Sequence, residues 1–288
     1  MLLAIDARPR SVAVGIRPLP GGPWLALKRF GASGERSADE YAFLLEATAE
    51  AAFRAVSAVA AGAAGSAAPG AVAPIAAKVG EAWISSVSPA LTPRLAAAVS
   101  TAFGIEARIV GPGAKTGLKI RTDQPSEVGS DLVCAALAGR ELAAREAPGA
   151  PVLVVDFGAA IAISAVNAAG EFLGAAIAPG LETAAFSLHR SAALIPEVRL
   201  DLPARAIGRS TPESIRAGLL LGYGGLVERL VSLMGAELAA EAPGAPPPLV
   251  LGTGEAEGRS ILEAAGIGRF APELALEGIA LVAARNRA

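Results

Sequence analysis

Short apolar runs, each closed by a turn signal, come in threes at two places along the chain. Near the start, Leu2–Ile5 ends at Asp6, Val12–Ile16 follows, and Trp24–Phe30 comes after Gly21-Gly22-Pro23. Further on, Val152–Val155 stops at Asp156-Phe157-Gly158, and Ala162–Val166 follows directly. Asn167–Gly170 then makes a turn, and a third apolar run leads to Pro179-Gly180. Each set predicts strand, turn, strand, turn, strand. Each puts an Asp at the end of its first strand, with the next strand starting about six residues later, which reads as an internal duplication.

Helical patterns fill the remainder. Ser37–Ala60 opens with Ser37 as N-cap and Glu40 completing a capping box. Pro93–Phe103 ends at a C-capping Gly104. Ser130–Glu146, Leu181–Ala193, Arg259–Gly266 and Leu274–Arg285 are further helices, and Thr211–Leu238 is a long one with Pro212 suited to its first turn. Ala82–Val87, Ala107–Val110 and Leu249–Leu251 predict strands, the last running into Gly252-Thr253-Gly254. Ala204–Ile207 reads as a short edge element, and Gly244–Pro248 as a turn. Residues 61–79 are Ala/Gly/Pro/Ser low complexity, a loose connection. The Pro/Gly hinge Ala147–Pro151 separates a domain of residues 1–148 from one of residues 149–288. Strands alternating with helices make the class α/β.

Composition narrows the function. A chain of 288 residues fits one large domain or two of about 150 residues each. Lys and Arg number 25 against 27 Asp and Glu, so no broad basic field points to nucleic acid. With one Cys and one His, disulfide frameworks and the usual nitrogen or sulfur metal sites are excluded. Any metal must sit on oxygen, which suits magnesium or potassium. The first apolar run is too short for a signal peptide or a membrane span, so a cytoplasmic protein without a membrane partner is expected. Hydrophobic residues make up 53% but aromatics only 4%, so alanine marks surface and core alike.

A charge at the end of a buried run is costly unless it binds something or is well hydrogen-bonded. Asp156 is therefore either a turn residue bonding its own backbone or a ligand-facing group, and Asp6 has the same two readings. Asp131, after Ser130, either complements a helix N-terminus or stays ionised there as a base. Lys115, Lys119 and Arg121 form a solvated strand face or attract an anion. Thr211 reads as a helix N-cap. Cys134 reads as core, His189 as a solvated or partly buried helix residue, and Asp39, Glu40 and Glu46 as a solvated helix face. Arg8 and Arg10 read as loop arginines, which commonly face solvent.

Two hairpin-led halves with an Asp at each first strand's end resemble the actin-like ATPase and sugar-kinase architecture. That resemblance implies duplicated ribonuclease H-like halves, each a mixed sheet with flanking helices, with nucleotide between them. More specific motifs follow in order: ISSVSPALTP (Ile84–Pro93), GPGAKTGLKIRTDQPSEVGSD (Gly111–Asp131), VVDFGAA (Val154–Ala160), IAPGL (Ile177–Leu181) and IGRSTPESIRAGLLLGYGG (Ile207–Gly225). Over nearly the whole chain they resemble the type III pantothenate kinases, dimeric enzymes that phosphorylate pantothenate with ATP in the first step of coenzyme A synthesis. The resemblance implies ATP with magnesium as cofactor, bound by Asp6, Ser11, Gly158 and Ala159, and a monovalent cation, potassium, on Asp156. It implies Asp131 as the general base and a pantothenate site of Thr122, Gly129, Ser130, Asp131, Leu132 and Thr211.

The departures are local. The family's first hairpin carries Asp-x-Gly-Asn-Thr-Asn, whereas this chain has Asp6-Ala7-Arg8-Pro9-Arg10-Ser11. The Gly that permits close backbone approach is gone, and Pro9 has no N–H for a phosphate. In the second hairpin Ala159 replaces a Thr. On the substrate side Leu132 replaces an Arg and Thr122 a Tyr, removing a charge-assisted contact. The pattern implies a diverged subunit that acts with an intact paralogous subunit, or with itself as a homodimer. The alternatives are a silent regulatory or binding protein that kept the dimerising fold, and a kinase for another small hydroxy substrate.

Overall fold

The computed structural model of the chain describes residues 1–32, 36–63, 78–192 and 194–287, with side chains left aside over residues 58–63. Two compact units divide it. The first comprises Met1–Thr116, Gly129–Asp131 and Ile279–Ala288; the second comprises Gly117–Val128 and Leu132–Gly278.

The first unit is a mixed sheet of β1 (Leu2–Ala7), β2 (Ser11–Arg17), β3 (Ala26–Gly31), β4 (Glu81–Ser86) and β5 (Ala107–Ile109), in the order β3-β2-β1-β4-β5. β1 pairs antiparallel with β2 and parallel with β4. Every residue of β1 is buried, so it reads as a continuous apolar run rather than an alternating one. Helix α1 (Ala38–Ala63) lays Tyr41, Leu45, Ala49 and Ala52 on the core at helical spacing, and α2 (Thr92–Phe103) adds Leu95, Ala98 and Val99. Both helix ends follow the sequence reading. The Ser37 N–H donates to Glu40 Oε2 at 2.7 Å, and Glu40 N–H donates back to Ser37 Oγ at 3.2 Å. Gly104 closes α2 in the left-handed region at φ 65°.

The second unit holds β6 (Lys119–Ile120), β7 (Val152–Phe157), β8 (Ala160–Val166), β9 (Glu171–Pro179), β10 (Leu249–Gly254) and β11 (Arg269–Phe270), in the order β11-β10-β7-β8-β9-β6. Its helices are α4 (Leu181–Ser191), α5 (Thr211–Arg216), α6 (Gly222–Glu241) and α7 (Glu257–Ala265), with most of α3 (Ser130–Glu146) and the start of α8 (Leu274–Arg285). Reading β9-β8-β7-β10-β11 against β3-β2-β1-β4-β5 superposes the two connectivities, with β6 added at one edge. The duplication inferred from the apolar runs is therefore present as topology. It extends to the register, where Asp6 lies opposite Ala13 and Asp156 opposite Ala162. On the parallel side Asp6 is level with Ser85 and Asp156 with Thr253.

Several elements differ from the sequence reading. Ala204–Ile207 forms no strand, and Ile207 is exposed. Arg269–Phe270 is a strand, too short to carry any alternation, pairing parallel with β10. Gly252-Thr253-Gly254 belongs to β10 itself, with Gly252 kept bare by Leu262 and Phe270 beside it. The long helix is continuous from Thr211 to Glu241 but passes through a wide π turn at Ala217–Leu221. It is long and apolar enough to cross a membrane by length and composition, yet Val227 and Leu238 lie in the unit's core. Of the low-complexity stretch, residues 61–63 end α1 and residues 64–77 lie outside the described residues.

Candidate functional site

In the first unit, β1 carries Asp6 to the bend of the leading hairpin, where it is 2% exposed. Arg8 lies two residues on, so an extended backbone puts both side chains on one face. Arg8 Nε donates to Asp6 Oδ2 at 2.7 Å, and the guanidinium is itself buried. A buried charge is stable only when paired in this way. Arg8 thus departs from the solvent-facing loop arginine that the sequence suggests. The turn closes with Arg8 N–H donating to the Ser11 carbonyl at 2.8 Å, and only Pro9 and Arg10 face outward. Ser11 is buried, and its hydroxyl accepts a bond from Arg29 Nη1 at 3.2 Å. Arg8 is thus the arginine on the Asp6 carboxylate, while Arg10 lies in the turn and Arg29 bonds Ser11.

The end of β4 joins this hairpin to the predicted base. Ser85, level with Asp6, shares a hydrogen bond of 2.9 Å with Ser130 Oγ, and Ser86 N–H donates to the same oxygen at 3.1 Å. Thr92 Oγ1 donates to Ser86 Oγ at 2.8 Å and ties the shelf to α2. Ser130 and Asp131 open α3, where a carboxylate is favoured by the helix dipole. Asp131 is half-buried. Gly129 fits because a Cβ there would stand 2.5 Å from Asp131 Oδ1 and 3.2 Å from Val87 Cγ1. The structure thus brings Asp6, Ser11, Gly129, Ser130 and Asp131 together in one unit. The hydrogen bonds of Ser85 and Ser86 leave no distinctive signal in the sequence beyond the double Ser of ISSVSPALTP.

The second unit holds the other hairpin. Asp156 ends β7 and is 3% exposed. Thr253, level with it on β10, keeps its Oγ1 buried with no hydrogen-bond partner. Gly254 has φ 96°, and a Cβ there would stand 2.8 Å from Asp156 Oδ1 and collide with the Phe157 carbonyl. The turn Gly158-Ala159 is latched to the start of α4. Gly180 N–H and Thr183 Oγ1 both donate to the Ala159 carbonyl, at 2.9 and 2.7 Å. Tyr223 Oη donates to the Pro179 carbonyl at 2.8 Å, and burial raises its pKa.

Thr122 keeps its Oγ1 buried without a hydrogen-bond partner, and Leu132 is half-buried on α3. Thr211 is exposed and is not the cap of α5; Ser210 is, accepting a bond from Glu213 N–H at 3.4 Å. Thr211 instead lines an open cavity of about 680 Å³ with Arg209, Ser210, Leu188 and Ile195. The remaining residues singled out in the sequence have local partners, lie in the core or face solvent. Lys119 and Arg121 pair with Glu171 at 2.7 and 3.2 Å, lowering its pKa chiefly through the Lys119 bond. Lys115 N–H donates to Asn286 Oδ1. His189 Nδ1 lies 2.7 Å from the Ile195 carbonyl, Cys134 is buried, and Asp39, Glu40 and Glu46 are exposed.

Among the described residues, no group of three or more His, Cys, Asp or Glu is placed to hold a metal ion. Potassium fits the second hairpin, where Asp156 and the Thr253 hydroxyl offer oxygen donors alone. A divalent ion does not fit the first hairpin, because the Arg8 guanidinium already sits on the Asp6 carboxylate.

The chain matches the family model for type III pantothenate kinase over residues 3–233. It is 34% identical to the type III pantothenate kinase of Moorella thermoacetica, over 99% of this chain and 100% of that one. It is also 34% identical to the type III pantothenate kinase of Gluconobacter oxydans, over 99% and 94% respectively. A solved structure from Campylobacter jejuni, described as a conserved Baf family transcriptional activator, shares the fold. Its TM-score is 0.52 at 14% identity, over 99% of this chain and 98% of that one. With two mixed sheets of one connectivity, a matching family model and full-length relatives, the chain belongs to the type III pantothenate kinase family.

Proposed function

We propose that this chain takes part in the ATP-dependent phosphorylation of pantothenate, in the cytoplasm, as a diverged subunit beside an intact paralogous one. The observation that carries this reading is the Ser85–Ser130 joint, which fixes the start of α3, and Asp131 with it, on the strand next to Asp6. Phosphoryl transfer asks little covalent chemistry of a protein; it needs positioning and charge stabilisation. Asp131 takes the proton of the attacking pantothenate hydroxyl, and its place at a helix N-terminus favours the ionised form that a base requires. Ser130, held from two sides, keeps the carboxylate in place. Thr211, with Arg209, Ser210 and Ser214 beside it, offers polar contacts to a small substrate in a cavity also lined by Leu188 and Ile195. Asp156 and Thr253 would hold a monovalent cation that offsets phosphate charge.

The first hairpin is what favours dependence on a partner. Its turn has lost a Gly and an N–H donor, so a triphosphate finds fewer backbone contacts than its grip requires. The partner subunit's loop supplies them in this reading. The test is a pantothenate phosphorylation assay on the chain alone and on the chain co-purified with an intact homologue. Activity is expected only from the pair. Full activity of the chain alone removes the heteromer and leaves a self-sufficient homodimer.

The buried Arg8–Asp6 pair also favours a second reading, a silent binding or regulatory protein. Calorimetric titration of the co-purified pair separates the two, since a silent subunit adds no pantothenate or nucleotide site to those of its partner.

A further inference from the structure

A divalent ion in a phosphotransferase is usually held by one or two carboxylates plus the substrate's phosphates, with several waters kept. In the first hairpin the only carboxylate is Asp6, since the turn from Ala7 to Ser11 contains no other acid. Arg8 Nε donates to Asp6 Oδ2 at 2.7 Å, with the Arg8 side chain 9% exposed and that of Asp6 2%. The second oxygen, Oδ1, is buried and has no hydrogen-bond partner. It can accept from a neutral donor such as water or a hydroxyl. A dication placed on it would stand against the guanidinium in a site with little water to screen the repulsion.

The pair is built in by sequence. Residues two apart on a strand share a face, and Pro9 follows directly with its φ fixed. Arginine is permanently charged and weakly hydrated for a cation, which suits it to a buried pair. Arg10 and Arg29 add positive charge at the same mouth, and Ser11 accepts from Arg29.

We propose that Arg8 is a built-in cation that takes the place of a divalent metal on Asp6, so that the first hairpin holds no divalent ion. The expectation of a metal rests on the phosphotransferase reading, whereas the ion pair stands without it. The contrast lies within the chain, because the second hairpin keeps Asp156 with Gly158 after it and no arginine near it in sequence. Any nucleotide phosphate reaching the first hairpin would meet guanidinium groups rather than a metal bridge.

The test uses manganese(II) alone, added below stoichiometry to the nitrogen-15-labelled full-length chain. The amide signals of Ala7, Arg10 and Ser11 are followed for paramagnetic broadening. The wild-type signals are expected to broaden no more than those of the rest of the molecule. Arg8→Gly, and Arg8→Gln as a variant of similar bulk, should each broaden them selectively, at least tenfold more than wild type at equal metal. Adding Asp6→Asn to either should abolish the gain. Selective broadening in the wild type overturns the proposal. So does a failure of both folded Arg8 variants to gain it, since Arg8 is then not what keeps the metal out. The readout involves neither pantothenate nor turnover, so a failed kinase assay and a failed metal exclusion are separate results.

Discussion

A Cβ on Gly129 would crowd the Asp131 carboxylate at 2.5 Å and Val87 at 3.2 Å, so a side chain fits there only if that carboxylate moves. Gly129→Ala is therefore expected to shift the Asp131 carboxylate, the proposed base, and lower kcat in the phosphorylation assay with little change in thermal midpoint. Asp131→Asn should lower kcat by about 10²–10⁴, the usual worth of a positioned general base, and leave the KM for pantothenate within about threefold. Steady-state kinetics on the co-purified pair reads both, and an unchanged kcat for Asp131→Asn would remove Asp131 from the chemistry. At this scale the sequence was partly legible. Asp131 stood out because a carboxylate follows a Ser at a helix start within a recognisable motif. Ser85 and Ser86 did not, because a strand-end Ser has no distinctive spacing. The burial of Arg8 was missed because loop arginines usually face water. The i, i+2 placement of Asp6 and Arg8 at a strand end was the signal that would have paired them.

Among elements, the start of α1 offers a direct measure of local wiring. Ser37 and Glu40 bond each other's backbone N–H. Ser37→Ala should cost about 1 kcal/mol of stability, seen as a lower denaturant midpoint with unchanged slope. The backbone N–H of Ser37, and then its hydroxyl, hold the Glu40 pKa below its ordinary value. A carboxylate depressed on folding contributes stability in full above its unfolded pKa of about 4.3, and loses it as pH falls through the lower folded value. Glu40→Gln should therefore reduce the thermal midpoint at pH 7 and have a shrinking effect as the pH drops below about 4. An equal effect at both pH values would mean that the charge is not what the cap uses. Long elements with clear caps were readable from the chain. The short ones were not: Arg269–Phe270 pairs with β10 through tertiary placement alone. The π turn at Ala217–Leu221 leaves no mark in an apolar Gly-containing run. In the opposite direction, Ala204–Ile207 had the composition of an edge strand, but no neighbouring strand pairs with it.

Across the whole molecule, duplication makes each hairpin an internal control for the other. They share sheet order, register and an Asp at the same strand end, yet only one contains arginine and proline in its turn. If the proposed weakening of nucleotide grip is confined to that turn, then repairing it should be enough to strengthen binding to a single chain. The triple change Arg8→Gly, Pro9→Asn, Arg10→Thr removes the guanidinium from Asp6, allows close backbone approach and returns one N–H donor. Each backbone bond to an anionic oxygen is worth about 1.5–3 kcal/mol, so even one regained contact predicts at least a tenfold gain in affinity. Fluorescence titration of the purified chain with a labelled, non-hydrolysable ATP analogue measures it directly. A tenfold gain, with Asp6→Asn reversing it, locates the defect in the hairpin and leaves the rest of the fold competent. No gain would place the obstacle elsewhere, with Ala159 in the second hairpin as the next residue to restore. Wild-type binding already as tight as the repaired chain's would instead show that arginines can grip a triphosphate without the lost backbone donors. In that case the chain needs no partner's loop.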